Sequence, residues 1–257
     1  MRGSGTRGRG SGVLRDRVCC AHHGDMTDWI ALQARAADLY DEVLPAITDW
    51  EAPTPCSEWT ARDVLAHVVD EQMWVPGLLA GGTIAEVAED LEERLRHLHE
   101  ASGPKLAEDW RAVRPPVAAS WRGTPDDDEV HMSYGLAPAR HYLAQQTFDL
   151  AVHAWDLAVS QGLDLRWDPE LERAVLEFVR ADLADNPAPH LFDPPVPGYD
   201  DLDREGPDAG GRGPESRNAS GPESRSASGP RQDGSSASDR DIALALTGRD
   251  PGAWPTR

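Results

Sequence analysis

The sequence has few cysteines, a deficit of positive charge and no long apolar run. Its three cysteines, Cys19, Cys20 and Cys56, are too few and too unevenly spaced for a disulfide framework, and this pattern fits a reducing cytoplasm. Lys and Arg number 25 against 45 Asp and Glu, giving a net charge of -20 over 257 residues. Because phosphate contacts need clustered cations, this balance argues against a nucleic-acid partner. No apolar stretch approaches the ~20 residues that cross a bilayer, so we expect no membrane partner.

Two segments have the composition of disordered chain. Residues 1–25 place five arginines among Gly and Ser without the apolar run of a secretory signal, which predicts a disordered basic tail with Met26 as the alternative start. Residues 201–238 hold a tandem octapeptide that begins at Gly213 and again at Gly221. This stretch has almost nothing apolar to offset the entropy of ordering, which predicts a disordered linker. After it, we expect a short helix in residues 239–257 to pack back on the main body.

Between these segments, apolar residues recur at helical spacing. In residues 27–50, Ile30, Ala34, Ala37 and Leu44 follow steps of three, four and seven, which places them on one helix face. Further helices are predicted over residues 60–81, 83–101, 104–121, 139–161, 168–187 and 239–248, with a loop at 126–129. Sustained period-two alternation is absent. The pattern predicts an all-α protein: a bundle of four long helices within residues 26–200, with accessory C-terminal helices.

The second predicted helix begins with a capping signal. Thr60 is followed three residues later by Asp63, which resembles a capping box with Asp in place of Glu. We therefore expect Thr60 to be the N-cap residue of that helix.

A line of polar residues runs along the longest clean helical segment. From Tyr142, steps of four, three, four and three reach Gln146, Asp149, His153 and Asp156, beside a seam of leucines. Burying a carboxylate and an imidazole costs several kcal/mol unless other groups pair with them. The stripe therefore needs partners inside the bundle.

A divalent metal ion would satisfy this stripe. Residues four apart on a helix differ by about 40° in azimuth and lie roughly 5 to 6 Å apart at Cβ, so Asp149 and His153 can chelate one ion. His67 lies on the apolar face of the second helix and is the candidate third ligand. Three ligands leave a coordination position open for water or a substrate atom, which is the pattern of a catalytic metal site.

Each of these residues also has a structural interpretation. A histidine on an apolar helix face is more often a hydrogen-bonded core residue, and Asp149 could pair with Arg62 or Arg140 instead. Asp156, one turn beyond the second histidine, could orient a metal ligand, accept a proton or serve the structure alone. Cys56 is expected to be a buried, inert thiol. The tryptophans near these motifs are expected to serve packing: Trp59, Trp74 and Trp155.

Three motifs follow one another in an order and at distances that a four-helix bundle needs. They are residues 54–67 (TPCSEWTARDVLAH), residues 149–158 (DLAVHAWDLA) and residues 247–251 (TGRDP) followed by Trp254. Together they resemble the actinobacterial branch of the DinB-like superfamily, the group that contains the mycothiol-dependent maleylpyruvate isomerase metal-binding domain. The resemblance extends over roughly residues 27–200 and 239–254.

The resemblance implies a four-helix bundle, up-down-down-up or up-down-up-down, that holds one divalent ion, usually Zn²⁺. The family's histidine on the second helix and its acid-x-x-x-histidine pair match His67, Asp149 and His153 here. In the isomerase, the metal binds the thiol of mycothiol and lowers its pKa, so that the thiolate adds to the substrate; related members are similar to thiol transferases. The implied partners are therefore a small-molecule thiol such as mycothiol and an electrophilic substrate.

The sequence departs from the isomerase in two respects. Asp149 stands where the isomerase has a glutamate, and the C-terminal part does not follow the isomerase's additional α/β domain, so we do not expect maleylpyruvate itself to be the substrate. Two functions stay open: a zinc-dependent thiol S-transferase or isomerase, and a non-catalytic metal-binding bundle for stress response or sensing. The native metal is also open, because Asp and two His accept several ions, and so is pairing into a homodimer.

Overall fold

The computed structural model describes residues 27–185, 194–199 and 237–254. The predicted tail (1–25) and all but the last two residues of the predicted linker (201–238) lie outside the described residues. The described chain is mostly helical, which confirms the predicted all-α class.

Seven α-helices make up most of the described structure. They are α1 (Trp29–Val43), α2 (Ala61–Leu79), α3 (Ile84–Glu100), α4 (Gly103–Gly123), α5 (Ala139–Ser160), α6 (Pro169–Asp185) and α7 (Asp239–Leu246). The first helix ends earlier than the predicted residue 50. It passes into a 3₁₀ turn at Leu44–Ala46, where Pro45 has no N–H to continue the α-helical ladder.

Helices α1, α2, α4 and α5 form the bundle, and within it the most extensive contacts join α1 to α5, α2 to α4 and α2 to α5. Most residues of α5 are buried because α1, α2 and α6 pack around it. The polar stripe of α5 therefore lies inside the protein. The fold in this way places α5 directly against α2, the helix that supplies His67.

The predicted capping box at the start of α2 is confirmed. The Thr60 hydroxyl accepts a hydrogen bond from the backbone N–H of Asp63, and the Asp63 carboxylate accepts one from the backbone N–H of Thr60. Thr83 and Glu86 form the same reciprocal pair at the start of α3. Both helix starts thus satisfy backbone donors that would otherwise lack partners.

A short antiparallel hairpin precedes α5. Its strands are β1 (Glu129–Met132) and β2 (Gly135–Pro138), where the sequence predicts a loop at 126–129 and no strand. The loop prediction is wrong at Glu129, because strands of four residues are too short to display a period-two pattern. Gly135 permits the tight turn through its φ of +131°. The backbone N–H of Ala139 then donates to Asp128 O at 2.8 Å, which fixes the start of α5.

The terminal segment, residues 237–254, packs on the body of the protein through α7. Ala243 and Leu244 are buried, and the Arg240 guanidinium donates to the carbonyl of Leu165 at 2.6 Å. Gly248 follows α7 with a φ of +81°, a left-handed conformation that favours glycine. This turn directs the next residue, Arg249, back toward the bundle.

In the part of the chain that the structure describes, none of the helices is both long and apolar enough to cross a lipid bilayer.

Candidate metal centre

The packing of α2 against α5 brings three predicted ligands together. Asp149 Oδ1 lies 3.5 Å from His67 Nε2 and 3.4 Å from His153 Nε2. One donor atom from each of the three side chains lies within 4.8 Å of the other two. We call His67, Asp149 and His153 the donor cluster. The i, i+4 spacing on α5 accounts for two of its members, and the helix pairing accounts for the third.

The donor cluster is half-buried and its charges are mutually dependent. Burial disfavours the ionised carboxyl of Asp149, but the imidazoles of His153 and His67 outweigh this effect and lower its pKa. Burial likewise disfavours a charged His153, yet Asp149 and Asp156 raise the pKa of that imidazole well above its usual value. The cluster is therefore held together by a carboxylate between two rings that can each face it with a nitrogen.

One oxygen of the cluster has no partner. Asp149 Oδ2 is buried and receives no hydrogen bond from any residue that the structure describes. A buried, unpaired carboxylate oxygen is costly unless a cation or a donor compensates it. Of the alternative partners, Arg62 donates to Ala101 O and to Asp63, and Arg140 is exposed. The Asp149 carboxylate, with an imidazole nitrogen on each side of its Oδ1, is a donor set that suits Zn²⁺ and similar divalent ions, so these residues fit a metal.

Asp156 lies behind the cluster and contacts His153. Its Oδ2 lies 2.9 Å from His153 Nδ1, and its side chain is fully buried. A carboxylate accepts hydrogen bonds only, so His153 donates from Nδ1 and its Nε2 faces Asp149. This is the arrangement in which a carboxylate orients a histidine ligand, one of the three roles that the sequence leaves open for Asp156.

Arg249 is the residue that sequence reasoning missed. Its Nε donates to Asp156 Oδ1 at 2.9 Å and to Oδ2 at 3.1 Å, and its Nη2 donates to Oδ2 at 2.9 Å. Burial disfavours the ionised carboxyl of Asp156 and by itself would raise its pKa. The charge of Arg249 and then the interactions with His153 outweigh burial, so the pKa of this carboxyl is lowered. Arg249 is the third residue of the TGRDP motif, but residue spacing alone does not indicate which side chain it contacts.

Cys56 belongs to a second group of donors that a cation cannot use. Its Sγ lies with His153 and Asp156 in a group whose donor atoms are within 4.8 Å of one another. Arg249 Nη2 donates to this sulfur at 3.1 Å, so a positive charge already lies in that position. The Cys56 thiol is half-buried and donates to Asp156 Oδ2, whereas the sequence predicts a buried, inert thiol.

Trp59 lies over the donor cluster. Its ring centroid is 4.9 Å from that of His67 and 5.9 Å from that of His153, and 37% of the residue is exposed. The sequence predicts a packing role for Trp59; that role suits the buried Trp155, whereas Trp59 covers the cluster at the protein surface.

The polar stripe continues beyond the cluster as a hydrogen-bonded chain. Gln72 of α2 donates to Gln146 of α5, and Gln146 donates in turn to Glu71 Oε2 at 3.2 Å. Burial, together with the nearby charge of Asp149, raises the pKa of the Glu71 carboxyl. The two amide groups thus give Gln72, Gln146 and Glu71 hydrogen-bond partners between α2 and α5.

Known proteins are similar in sequence to the part of the chain that contains the donor cluster. A family model described as the mycothiol maleylpyruvate isomerase N-terminal domain matches residues 29–158, a span that contains the whole donor cluster and excludes Arg249. Uncharacterized proteins from two strains of Mycobacterium tuberculosis are 30% identical over 156 residues, covering 60% of this chain and 79% of each relative.

Crystal structures of a known enzyme also align with part of the fold. A crystal structure of the mycothiol-dependent maleylpyruvate isomerase aligns with a TM-score of 0.47 at 16% identity, covering 60% of this chain and 68% of the isomerase. A mutant of the same isomerase aligns with a TM-score of 0.48 and the same coverage.

Proposed function

The chain belongs to the mycothiol maleylpyruvate isomerase N-terminal domain family, and from this premise we propose that it binds one divalent cation through His67, Asp149 and His153. We further propose that the site activates a small-molecule thiol, of the mycothiol type, for transfer to or isomerisation of a small electrophile. The observation that supports this most directly is the Asp149 carboxylate: its Oδ1 faces both imidazoles, and its buried Oδ2 receives no hydrogen bond from the described residues.

Zn²⁺ is the ion we propose, because two nitrogen donors and one oxygen donor match its preference and three protein ligands leave a position for an exogenous ligand. A divalent cation bound there would supply a Lewis acid that favours the thiolate form of a thiol near neutral pH. The residues that line the site would have distinct roles around such a cation.

The protein residues hold and orient the donors. Asp149 lies between the imidazoles and supplies the negative charge that compensates a cation. Asp156 accepts from His153 Nδ1 at 2.9 Å and so keeps His153 Nε2 facing Asp149. Trp59 covers the rings of both histidines, which limits the approach of water from that side. His67 and Asp149 remain partly exposed, with side-chain exposures of 27% and 21%, which leaves a route for a small substrate.

Metal content is the experiment that tests the cation site. Protein purified without an affinity tag should contain about one equivalent of zinc or a similar ion by mass spectrometry, and both His67→Ala and His153→Ala should lose it. His141→Ala is the matched control, because His141 lies on the same helix but contacts Phe178 and not the cluster. A folded wild type that stays metal-free after reconstitution would overturn the proposal.

Turnover distinguishes the enzyme from a non-catalytic metal-binding bundle. A panel of low-molecular-weight thiols and electrophiles should show metal-dependent conjugation or isomerisation that His153→Ala abolishes. A metal-loaded protein without turnover on the panel, whose melting temperature falls sharply on chelation, would favour the sensing or stress-response alternative.

A further inference from the structure

We propose that Arg249 is a positioning residue for the metal centre: acting through Asp156, it holds His153 in the orientation in which His153 Nε2 joins the donor cluster. This inference rests on the proposed function, because it concerns the same site. It adds an element that the matched family region, residues 29–158, does not contain.

The first observation is the completeness of the Arg249–Asp156 pair. Asp156 is 0% exposed and Arg249 is 8% exposed, so neither charge can be compensated by water. Arg249 gives the carboxylate three donor contacts between 2.9 and 3.1 Å from two of its nitrogens. Two oxygens facing two nitrogens of a planar guanidinium fix the plane of the carboxylate as well as its position.

The second observation is that this carboxylate is shared. Asp156 Oδ2 accepts from Arg249 and also lies 2.9 Å from His153 Nδ1. The imidazole ring can keep that bond only while the carboxylate stays in its present plane. The chain of contacts from Arg249 to Asp156 to His153 therefore controls the direction of His153 Nε2, which lies 3.4 Å from Asp149 Oδ1.

The third observation is that Arg249 is itself held in place. Its Nη1 donates to the carbonyl of Thr247 at 3.3 Å, and its Nη2 donates to Cys56 Sγ at 3.1 Å. The terminal segment that supplies it docks independently, since Arg240 donates to Leu165 O and the backbone N–H of Val196 donates to Ala245 O at 2.9 Å. The guanidinium is thus a fixed part of the site.

Lysine cannot replace this arrangement. An ammonium is a point charge on a flexible stem and does not match the two oxygens of a carboxylate as a guanidinium does. Arg249→Lys should therefore retain the charge compensation of Asp156 while losing the control of its plane. If Arg249 served only to stabilise the fold, the positive charge of lysine in Arg249→Lys would be sufficient.

The experiment measures the geometry and affinity of the metal site in the full chain. Arg249→Ala should weaken Zn²⁺ binding, measured by competition with a chromophoric chelator, by about 10- to 100-fold, and should alter the visible absorption of the Co²⁺-substituted protein. Relative to Arg249→Ala, Arg249→Lys should recover more of the melting temperature than of the Zn²⁺ affinity or the Co²⁺ spectrum. Added guanidinium should recover part of the Zn²⁺ affinity of Arg249→Ala.

A double-mutant comparison tests whether Arg249 acts through Asp156. The variant that combines Arg249→Ala with Asp156→Asn should bind Zn²⁺ no more weakly than Asp156→Asn alone. Additive losses, or wild-type affinity and an unchanged Co²⁺ spectrum in Arg249→Ala, would overturn the proposal. If Arg249→Ala does not fold, the same two readouts on Arg249→Lys decide the question.

A measurement without metal separates this inference from the proposed function. The proton on His153 Nδ1 should exchange slowly in the NMR spectrum of the metal-free wild type and should be lost from the spectrum of Arg249→Lys. Failure of the wild type to bind any metal would end the proposed function, whereas fast exchange of this proton in the wild type would end the positioning role.

Discussion

The indole of Trp59 lies against the imidazole of His67, with ring centroids 4.9 Å apart and planes inclined by 43°. Trp59 belongs to the turn that precedes α2, so the same short segment that caps the helix also supports one of its proposed metal ligands. Within the cluster, His67 Nε2 faces Asp149 and its ring contacts that of His153, and the indole of Trp59 is a further restraint on its orientation.

Removing that ring should loosen His67. We expect Trp59→Ala to weaken Zn²⁺ affinity by roughly two- to tenfold, the equivalent of an aromatic contact of about 0.5–1.5 kcal/mol. Because Trp59 is 37% exposed, the free energy of unfolding should change much less than for a buried tryptophan. Chelator competition and urea unfolding measure the two effects. Trp59→Phe is the control that keeps a ring; affinity equal to wild type in Trp59→Ala would contradict the expectation.

The cap of α2 should make stability depend on pH. Burial raises the pKa of the Asp63 carboxyl, but hydrogen bonds from Thr60 and the Arg62 charge outweigh it, so the folded-state pKa lies below the unfolded value of about 3.9. A depressed pKa means that the contribution is complete above the unfolded pKa and is lost as pH falls through the folded pKa. At pH 7 it should amount to about 1 kcal/mol or less, since the group is partly exposed.

The measurement is urea unfolding of wild type and Asp63→Asn between pH 7 and pH 3. The difference in unfolding free energy between the two proteins should shrink toward the acid end. Ser238→Ala is the control, because it removes a hydroxyl that caps α7 through a backbone N–H and does not touch Asp63; its difference from the wild type should not shrink toward the acid end. A difference that stays constant over this range would show that the Asp63 charge does not stabilise the fold.

Substituting alanine for each of two glycines in α4 should have different effects on the free energy of unfolding. A Cβ at Gly103 would overlap Cδ2 of Trp50, so the indole must move, and we expect the free energy of unfolding to fall by about 1–3 kcal/mol. A Cβ at Gly123 would meet no atom within 4 Å, so the higher helix propensity of alanine should leave stability unchanged or raise it by up to about 1 kcal/mol. Chemical denaturation of the two variants side by side checks both signs, and equal effects would show that the Trp50 contact is unimportant.

One buried hydroxyl joins α1 to α5. Tyr40 is fully buried and its hydroxyl donates to the carbonyl of Leu150 at 3.0 Å, one residue from Asp149. Tyr40→Phe should lower the free energy of unfolding by about 0.5–1.5 kcal/mol, the net value of such a bond. Tyr134→Phe is the comparison, because the Tyr134 hydroxyl contacts Gln145 at the exposed surface and should matter little. Denaturation curves in which both variants match the wild type would remove any structural role for the Tyr40 bond.

Much of the fold could be predicted because its signals are local. The capping pair Thr60 and Asp63 depends on residues three apart, and the face shared by Asp149 and His153 follows from helical spacing alone. His67 needed one further assumption, that apolar helix faces meet, and the α2–α5 contact satisfies it. These features depend on periodicity, which a sequence records directly.

The remaining features depend on contacts that no local pattern encodes. The strands β1 and β2 have four residues each, too few for alternation to be visible. The position of Trp59 follows from the turn before α2, and its exposure could not be inferred from its size. Arg249 approaches Asp156 across a sequence separation of 93 residues, and only the docking of α7 determines that they meet.

That separation also sets an order of events during synthesis. Asp156 is added to the growing chain 93 residues before Arg249, which at about 5–20 residues per second corresponds to an interval of roughly 5 to 20 seconds. Throughout this interval the bundle helices are all available, yet the carboxylate at their centre has no guanidinium. Until Arg249 has been synthesised, the bundle therefore lacks the guanidinium that compensates the Asp156 carboxylate in the folded protein.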